Sequence, residues 1–468
     1  MNVADKDSFD IVVIGSGPGG YVAAIRAAQL GMRVACVEAG ALGGVCNNVG
    51  CIPTKAMLES AKYAKKAPQL KDFGVNVGEV TLDIAIAAKR AKKVADQGAK
   101  GVAFLFKKNK IEQVSGWARL GGKGTVVVEG KDGERTLTAK HIILATGSRP
   151  KSLPMLEIDG DRVWSSDQAV FAPEAPKSIA IVGAGAIGME FADVFNAFGS
   201  KVTIIEALPQ VLPLEDKDCA EVVARSYKKR GMDILTDARL EKATVTRKGV
   251  TLEVKAADGK VQKIQVDRVL MAVGRAPIID DLGLEKAGVK TEKGFIKVDD
   301  HLQTTAEGIH AIGDCAKPPL LAHKASHEGI KVVEHIAGQG HGWVDYDNIP
   351  SVTYCHPEVA SVGLTEAQAK EKGVDYEVGT FPWSANGRAR TAGESEGFVK
   401  IIRGKKYSEV LGAHIVGPSA SELIGEFILG RHLETTVEEM EAAMHPHPTL
   451  SEAVAEAALA ALGRVIHM

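Results

Sequence analysis

At 468 residues, with 45% hydrophobic and 25% charged side chains, the chain is long enough for two to four domains, each with its own core. A formal net charge of −2 leaves no basic field for nucleic acid, and no apolar run reaches the length of a membrane span. Six cysteines are too few for a secreted disulfide scaffold, so a close pair among them reads as chemistry in a reducing compartment.

The first ten residues, MNVADKDSFD, are acidic and lack an apolar stretch; no signal peptide is expected, and a cytoplasmic location is. Phe9 to Ile14 is a short apolar run, a buried strand. It feeds GSGPGG, in which Gly15, Gly17 and Gly20 keep G-x-G-x-x-G spacing. An alanine-rich helix is expected to Leu30, ended by Gly31, and a strand from Arg33 to Val37 closes on Glu38. Strand, glycine turn, helix, strand and acid in that order make a dinucleotide fingerprint. The glycines let the backbone approach a pyrophosphate at a helix N-terminus, and the carboxylate takes ribose hydroxyls. A tight turn with no ligand is the bland alternative, and the flanking elements weigh against it.

Cys46 and Cys51 follow in GGVCNNVGCIPTK. A regular helix sets Cα atoms five residues apart at about 8.6 Å, whereas a disulfide needs about 4.4–6.8 Å. A bridge therefore requires Asn47 to Gly50 to leave regular helix, which Gly43, Gly44, Gly50 and the asparagines permit. Pro53 then fits the first turn of a helix beginning near Ile52. Spacing alone leaves two readings open, a reducible bridge or two thiols that never meet. Lys55, one turn beyond Cys51, reads by itself as a surface lysine.

Residues 56–100 read as helix broken at Pro68 and FGVNVG, and residues 110–140 as a β-meander. A buried strand, Ile142 to Leu144, ends at Ala145-Thr146-Gly147. The fingerprint then recurs 168 residues after its first copy: strand Ser178 to Val182, Gly183, Gly185 and Gly188, a helix to Phe198, strand Val202 to Ile205, and Glu206. That offset is too long for a solenoid repeat and fits two nucleotide-binding domains, which implies electron or hydride passage between two dinucleotides. Glu206 suits a free ribose 2′-hydroxyl and repels a 2′-phosphate, so NAD is preferred to NADP.

A strand from Val269 to Val273 precedes Gly274, and another, Ile309 to Ile312, ends at Gly313-Asp314. A carboxylate at a strand's C-terminal end lies where α/β folds bind ligands; Asp314 reads equally as the N-cap of the helix that starts in LLAHKASHEG. Residues 338–350 are turn-rich and mark a boundary. Beyond them, strands Phe398 to Ile402 and Val410 to Val416 mix with helices Glu422 to Leu433 and Ser451 to Leu462, an α+β pattern without a nucleotide signature. His447 and Glu452 stand five apart across the start of the last helix, the makings of a carboxylate-oriented general base. The competing reading is a capping box, Thr449-x-x-Glu452. Metal binding by His445 and His447 lacks a completing ligand cluster, so no metal is expected.

The motifs GSGPGG, GGVCNNVGCIPTK, ILATGS, GAGAIGME, TTAEGIHAIGDC and HPHPTLSE stand in an order and spacing that resembles the flavoprotein disulfide reductases, the class I pyridine nucleotide-disulfide oxidoreductases, over essentially the whole chain. The resemblance implies an α/β fold with two Rossmann-like dinucleotide-binding domains (FAD, 1–150; NAD, 151–276), a central domain completing the FAD site (277–348) and a C-terminal α+β dimerisation domain (349–468). It implies tight, non-covalent FAD contacted by Gly15, Gly17, Gly20, Glu38, Lys55, Ala118, Thr146, Gly147, Asp314 and Ala322. It implies NAD on Gly183, Gly185, Ala186, Ile187, Gly188, Glu206 and Gly274, with Glu190 paired to Lys55 beside flavin N5. By the same resemblance Cys46 and Cys51 form a redox disulfide, Cys51 against the flavin and Cys46 facing substrate, and His447, held by Glu452, is the base acting across a homodimer interface. The implied reaction is oxidation of protein-bound dihydrolipoamide with reduction of NAD⁺, in partnership with lipoyl domains of 2-oxo acid dehydrogenase or glycine cleavage complexes. A glutathione-type reductase using NADPH shares these motifs, and Glu206 argues against it. Val45 and Asn47 stand where the family often carries threonine and leucine, a departure that touches loop packing more than chemistry.

Overall fold

A computed structural model describes residues 6–340 and 344–468. The first five residues of the acidic N-terminus and residues 341–343 of the expected boundary lie outside the described residues. The chain divides into two compact units, one made of Met1–Ala56, Ile86–Lys151 and Arg275–Val344, the other of Met57–Ala85, Ser152–Gly274 and Asp345–Met468.

In the first unit a seven-stranded sheet carries the first fingerprint. Ser8–Ile14 lies between Val34–Glu38 and Gly133–Leu144, parallel to both, and Glu112–Ser115 extends the sheet beyond Val34–Glu38. The last strand of the expected meander and the expected strand Ile142 to Leu144 are one continuous strand of 12 residues, Gly133–Leu144. Its first half is mostly exposed and pairs antiparallel with Thr125–Gly130; its apolar end is buried and pairs parallel with Ser8–Ile14 and Ile309–Ala311. The change from alternating to uniform burial along one strand imitates two elements in the sequence. Helices Pro18–Gln29 and Ala322–Ile336 pack with almost no space between backbones: a Cβ on Gly329 would lie 2.6 Å from the Gly19 carbonyl oxygen.

His310, on the strand Ile309–Ala311, is buried and neither ring nitrogen has a hydrogen-bond partner; its ring centroid lies 5.7 Å from that of His141. Burial, then the neighbouring His141 and His335, pull its pKa down to about 4. The unfolded chain takes up this proton near pH 6.5. The folded chain therefore pays nothing above that pH and progressively more as pH falls toward 4. His310→Phe is expected to recover up to about 3 kcal/mol of the stability lost between those two pH values. Urea midpoints of both proteins at the two pH values check this; parallel losses would rule it out.

In the second unit the second fingerprint is carried by a parallel five-stranded sheet in the order Asp233–Leu235, Lys201–Ile205, Ser178–Val182, Arg268–Met271, Val163–Trp164. Ile14 faces Val37 in the first sheet, and Val182 faces Ile205 in the second, so the two copies share one register. An antiparallel meander, Arg239–Thr246, Gly249–Lys255 and Val261–Val266, follows. The C-terminal module is an antiparallel sheet of Ser351–Thr353, Glu358–Gly363, Val410–Gly417, Phe398–Gly404 and Tyr376–Pro382. Helix Glu452–Ala461 is pressed onto its last strand: a Cβ on Gly379 would lie 2.2 Å from the Ala461 nitrogen. Among the described residues no helix is long and apolar enough to cross a membrane.

Candidate active site

The redox stretch is latched onto the first fingerprint. Gly43 donates its N–H to the Ser16 carbonyl (3.1 Å) and hydroxyl (3.2 Å), and a Cβ on Gly44 would lie 2.7 Å from the Gly17 Cα. Both glycines sit in the left-handed region, φ +95° and +60°. A short helix, Gly44–Asn48, carries Cys46, and a second, Cys51–Lys66, begins at Cys51. The break is narrower than expected: Asn47 and Asn48 stay helical, and only Val49 and Gly50 depart. The asparagines hold the loop. Asn48 Nδ2 donates to the carbonyls of Ala41, Leu42 and Gly44, and Asn47 Nδ2 to that of Ala95. Asn47 is matched by Gly98, where a Cβ would fall 1.9 Å from its Oδ1.

The two sulfurs do meet. Cys46 and Cys51 lie within hydrogen-bond reach of one another, as a pair that can be bridged or reduced must. That bond first, then burial, push the Cys46 thiol well above its ordinary range, against the pull of Lys55. Reduced Cys46 is therefore protonated near neutrality, and thiol exchange there calls for a base from elsewhere. Cys51 heads a 16-residue helix, where a thiolate is favoured by the helix dipole. Cys36, Cys219, Cys315 and Cys355 are buried, and burial raises each of them.

The glycines of each fingerprint divide their work in the same way. A Cβ on Gly15 would lie 2.3 Å from the Ala145 carbonyl oxygen, and one on Gly20 would lie 1.9 Å from that of Gly15. On Gly183 and Gly188 the corresponding distances are 2.4 Å to Ala272 and 2.0 Å to Gly183. The middle glycines, Gly17 and Gly185, meet nothing within 4 Å. Outer glycines serve packing, and middle ones leave an open cradle beside helix N-termini that have no side-chain cap. Ala186, Ile187 and Gly188 supply the first turn of the second such helix. Glu38 Oε2 accepts the Ser16 N–H (2.9 Å) and hydroxyl (2.6 Å), and its Oε1 accepts the Gly40 N–H (2.8 Å). Glu206 repeats this with the N–H groups of Ala184 (2.7 Å) and Leu208 (2.9 Å). These cradles and fixed acids fit two dinucleotides.

Asp314 is half-buried in the turn Gly313–Cys315 and accepts the Ser148 hydroxyl at 2.5 Å; Ser148 Oγ in turn accepts from Arg275 Nε at 2.7 Å. The N-cap of the following helix is Leu321, so the capping reading of Asp314 is overturned: seven residues intervene before Ala322 opens that helix. Thr146 donates its hydroxyl to the Ile278 carbonyl (2.6 Å), and Gly147 and Gly274 sit at φ +74° and +104°. Ala118 pairs with Val128 in the meander. Glu190 is buried and accepts the Tyr354 N–H at 3.0 Å; it belongs to the second unit and Lys55 to the first.

His447 Nδ1 lies 2.7 Å from Glu452 Oε1, and Glu452 Oε2 accepts the Thr449 N–H at 2.7 Å. The carboxylate thus orients the imidazole and holds the approach to the helix at once, so the two readings of Glu452 do not compete. The box itself does not form, because the helix begins at Glu452 and the Thr449 hydroxyl donates to Pro446. Burial works to raise the Glu452 pKa, but the Thr449 N–H and His447 outweigh it and the net shift is downward. His445 and His467 also touch carboxylates, Glu426 at 2.9 Å and Glu456 at 2.5 Å. His445 has its other nitrogen on the Ala443 carbonyl, whereas the His447 side chain is 79% exposed with Nδ1 alone engaged by Glu452. Asn386, invisible in the sequence reading, donates from Nδ2 to the Thr449 carbonyl at 3.0 Å and fixes this stretch from a distant loop.

The family model of the pyridine nucleotide-disulphide oxidoreductases matches residues 9–329, and that of their dimerisation domain matches residues 349–458. The chain belongs to this family. It is 46% identical to a dihydrolipoyl dehydrogenase of Rhizobium etli, over 98% of this chain and 99% of that protein. It is 43% identical to one of Bacillus subtilis, with the same coverage of each. Its fold matches LpdA of Mycobacterium tuberculosis with a TM-score of 0.90 at 28% identity, over 96% of this chain and 98% of that one. As a pyridine nucleotide-disulphide oxidoreductase, the protein is an FAD-dependent enzyme of NAD(H), and its C-terminal module is the domain through which a homodimer forms.

Proposed function

We propose that this enzyme oxidises protein-bound dihydrolipoamide to lipoamide and reduces NAD⁺. The observation that carries the reading is the exposed, carboxylate-fixed His447 on the dimerisation domain, together with a separate Cys46 thiol that is too weakly acidic to ionise unaided. His447 takes a proton from one substrate thiol. The thiolate attacks Cys46, the Cys46–Cys51 bond breaks, and Cys51 leaves as a thiolate favoured by its helix N-terminus. The second substrate thiol then attacks the first substrate sulfur of the mixed disulfide and its proton passes to the departing Cys46 sulfur; lipoamide leaves, and His447 keeps the first proton until it is released to solvent. FAD, where bound, would supply the two-electron chemistry that links the thiol pair to the nicotinamide. Gly15, Gly17, Gly20, Glu38, Lys55, Ala118, Thr146, Gly147, Asp314 and Ala322 hold the FAD. Gly183 to Gly188, Glu206 and Gly274 hold the NAD, and Lys55 pairs with Glu190. The base of one subunit serves the partner subunit's Cys46. Lipoyl domains of an acyltransferase or of a glycine cleavage protein bring the substrate. Six cysteines in 468 residues, too few for a secreted scaffold, favour a reducing, cytoplasmic setting.

Assays under anaerobic conditions with dihydrolipoamide and NAD⁺, set against glutathione disulfide and NADPH, test the reaction. Faster turnover in the second pair would displace it. Glu206→Gln is expected to narrow the NAD⁺ over NADP⁺ preference in kcat/KM by about tenfold or more, because it removes the charge that repels a 2′-phosphate. An unchanged ratio would detach Glu206 from cofactor choice.

A further inference from the structure

An ion pair lies beneath the Gly313–Cys315 turn, and no step above uses it. Lys324 and Glu328 stand one turn apart on the helix Ala322–Ile336, with both side chains 0% exposed and Nζ 3.2 Å from Oε2. Glu328 Oε2 accepts the Gly313 N–H at 2.7 Å. Lys324 Nζ donates to the Gly313 carbonyl at 3.1 Å and to the Lys317 carbonyl at 2.7 Å. The pair thus grips both polar groups of one glycine, the residue before Asp314. That glycine sits at φ +71°, with Ala325 Cβ 3.2 Å from where its own Cβ would be.

We infer that Lys324 and Glu328 are positioning residues that set the Asp314 carboxylate, and with it the hold on FAD, by clamping the Gly313 peptide. The inference rests on the reading of Asp314 as an FAD contact. A fully buried ion pair is a poor device for stability, since apolar side chains of like volume commonly serve as well. What apolar side chains lack here is a set of directed bonds to the turn. From the other side Asp314 is held by the Ser148 hydroxyl, so the carboxylate has its backbone fixed beneath and its oxygen fixed in front.

Two conservative variants separate a clamp from mere charge balance. Glu328→Gln loses the charge but keeps an oxygen that reaches the Gly313 N–H; Glu328→Asp keeps the charge but is one methylene too short. The holoenzymes are compared by the rate of flavin release, read as the rise in free-flavin fluorescence, alongside thermal unfolding. Glu328→Asp is expected to release FAD at least about tenfold faster than wild type, and Glu328→Gln to stay within about threefold. The reverse order, or no change in either, overturns the clamp. Should Glu328→Asp fail to fold, Lys324→Met against Lys324→Arg reads the same contrast, faster release being expected for Met alone and equal rates overturning the clamp. Asp314→Ala is the reference: release at the wild-type rate there refutes the Asp314 reading itself, independently of the pair.

Discussion

Cys46→Ser is expected to lower dihydrolipoamide turnover by at least about a thousandfold while leaving the protein yellow and folded. Serine cannot form the mixed disulfide, so the electron pair of the substrate thiolate has no sulfur to enter. Cys51→Ser is expected to fail equally, because no bridge forms to be attacked. Neither change touches the nucleotide cradles: the Gly44 backbone against Gly17 and the Glu38 carboxylate on Ser16 and Gly40 are set without either sulfur. NADH-driven reduction of an artificial dye needs only the bound cofactors, and it should stay within about threefold of wild type in both variants. Alkylation of the reduced enzyme should label the half-buried 46/51 pair and spare Cys36, Cys219, Cys315 and Cys355, which are fully buried. Turnover by Cys46→Ser within tenfold of wild type would remove Cys46 from the exchange step.

The parts legible in the sequence are those whose reason is local. A glycine that must adopt positive φ, an acid at a strand's end and an apolar run of five or six residues each declare themselves within a short window, and both fingerprints fall where that window put them. Cys46 and Cys51 sit at the limit of this method. Spacing states what a bridge would require, but the answer lies in Val49 and Gly50, whose break depends on the hydrogen bonds of Asn47 and Asn48 to the surrounding backbone. Supports that act over distance were not legible. Asn386 reaches Thr449 across 63 residues and Ser148 reaches Asp314 across 166, and nothing in either residue type announces its partner. Glu452 fell between these cases. Its three-residue spacing from Thr449 and five-residue spacing from His447 were both visible, and they looked exclusive because a sequence does not say that a carboxylate spends one oxygen on each.

That division of oxygens sets the second large effect. His447→Gln is expected to lower kcat/KM for dihydrolipoamide by about a hundredfold to ten-thousandfold, the usual contribution of a positioned base. Glu452→Gln should lose less, by about tenfold to a hundredfold, but for a specific reason. An amide has one acceptor oxygen, so it can satisfy His447 or the Thr449 N–H but not both. Glu452 is held below its ordinary pKa of 4.5, so whatever it contributes is present above that value and lost only as pH falls through the lowered one. The carboxylate therefore stays charged and on His447 at every pH above 4.5, and any turnover that depends on it should be lost only below that value. Because the base is proposed to serve the partner subunit's Cys46, two dead homodimers should rescue one another. A heterodimer of a Cys46→Ser chain and a His447→Gln chain contains one complete site, with Cys46 from the second chain and His447 from the first. Random exchange of subunits should thus restore about a quarter of wild-type turnover, whereas a base acting within its own subunit would leave the mixture as inactive as its parents.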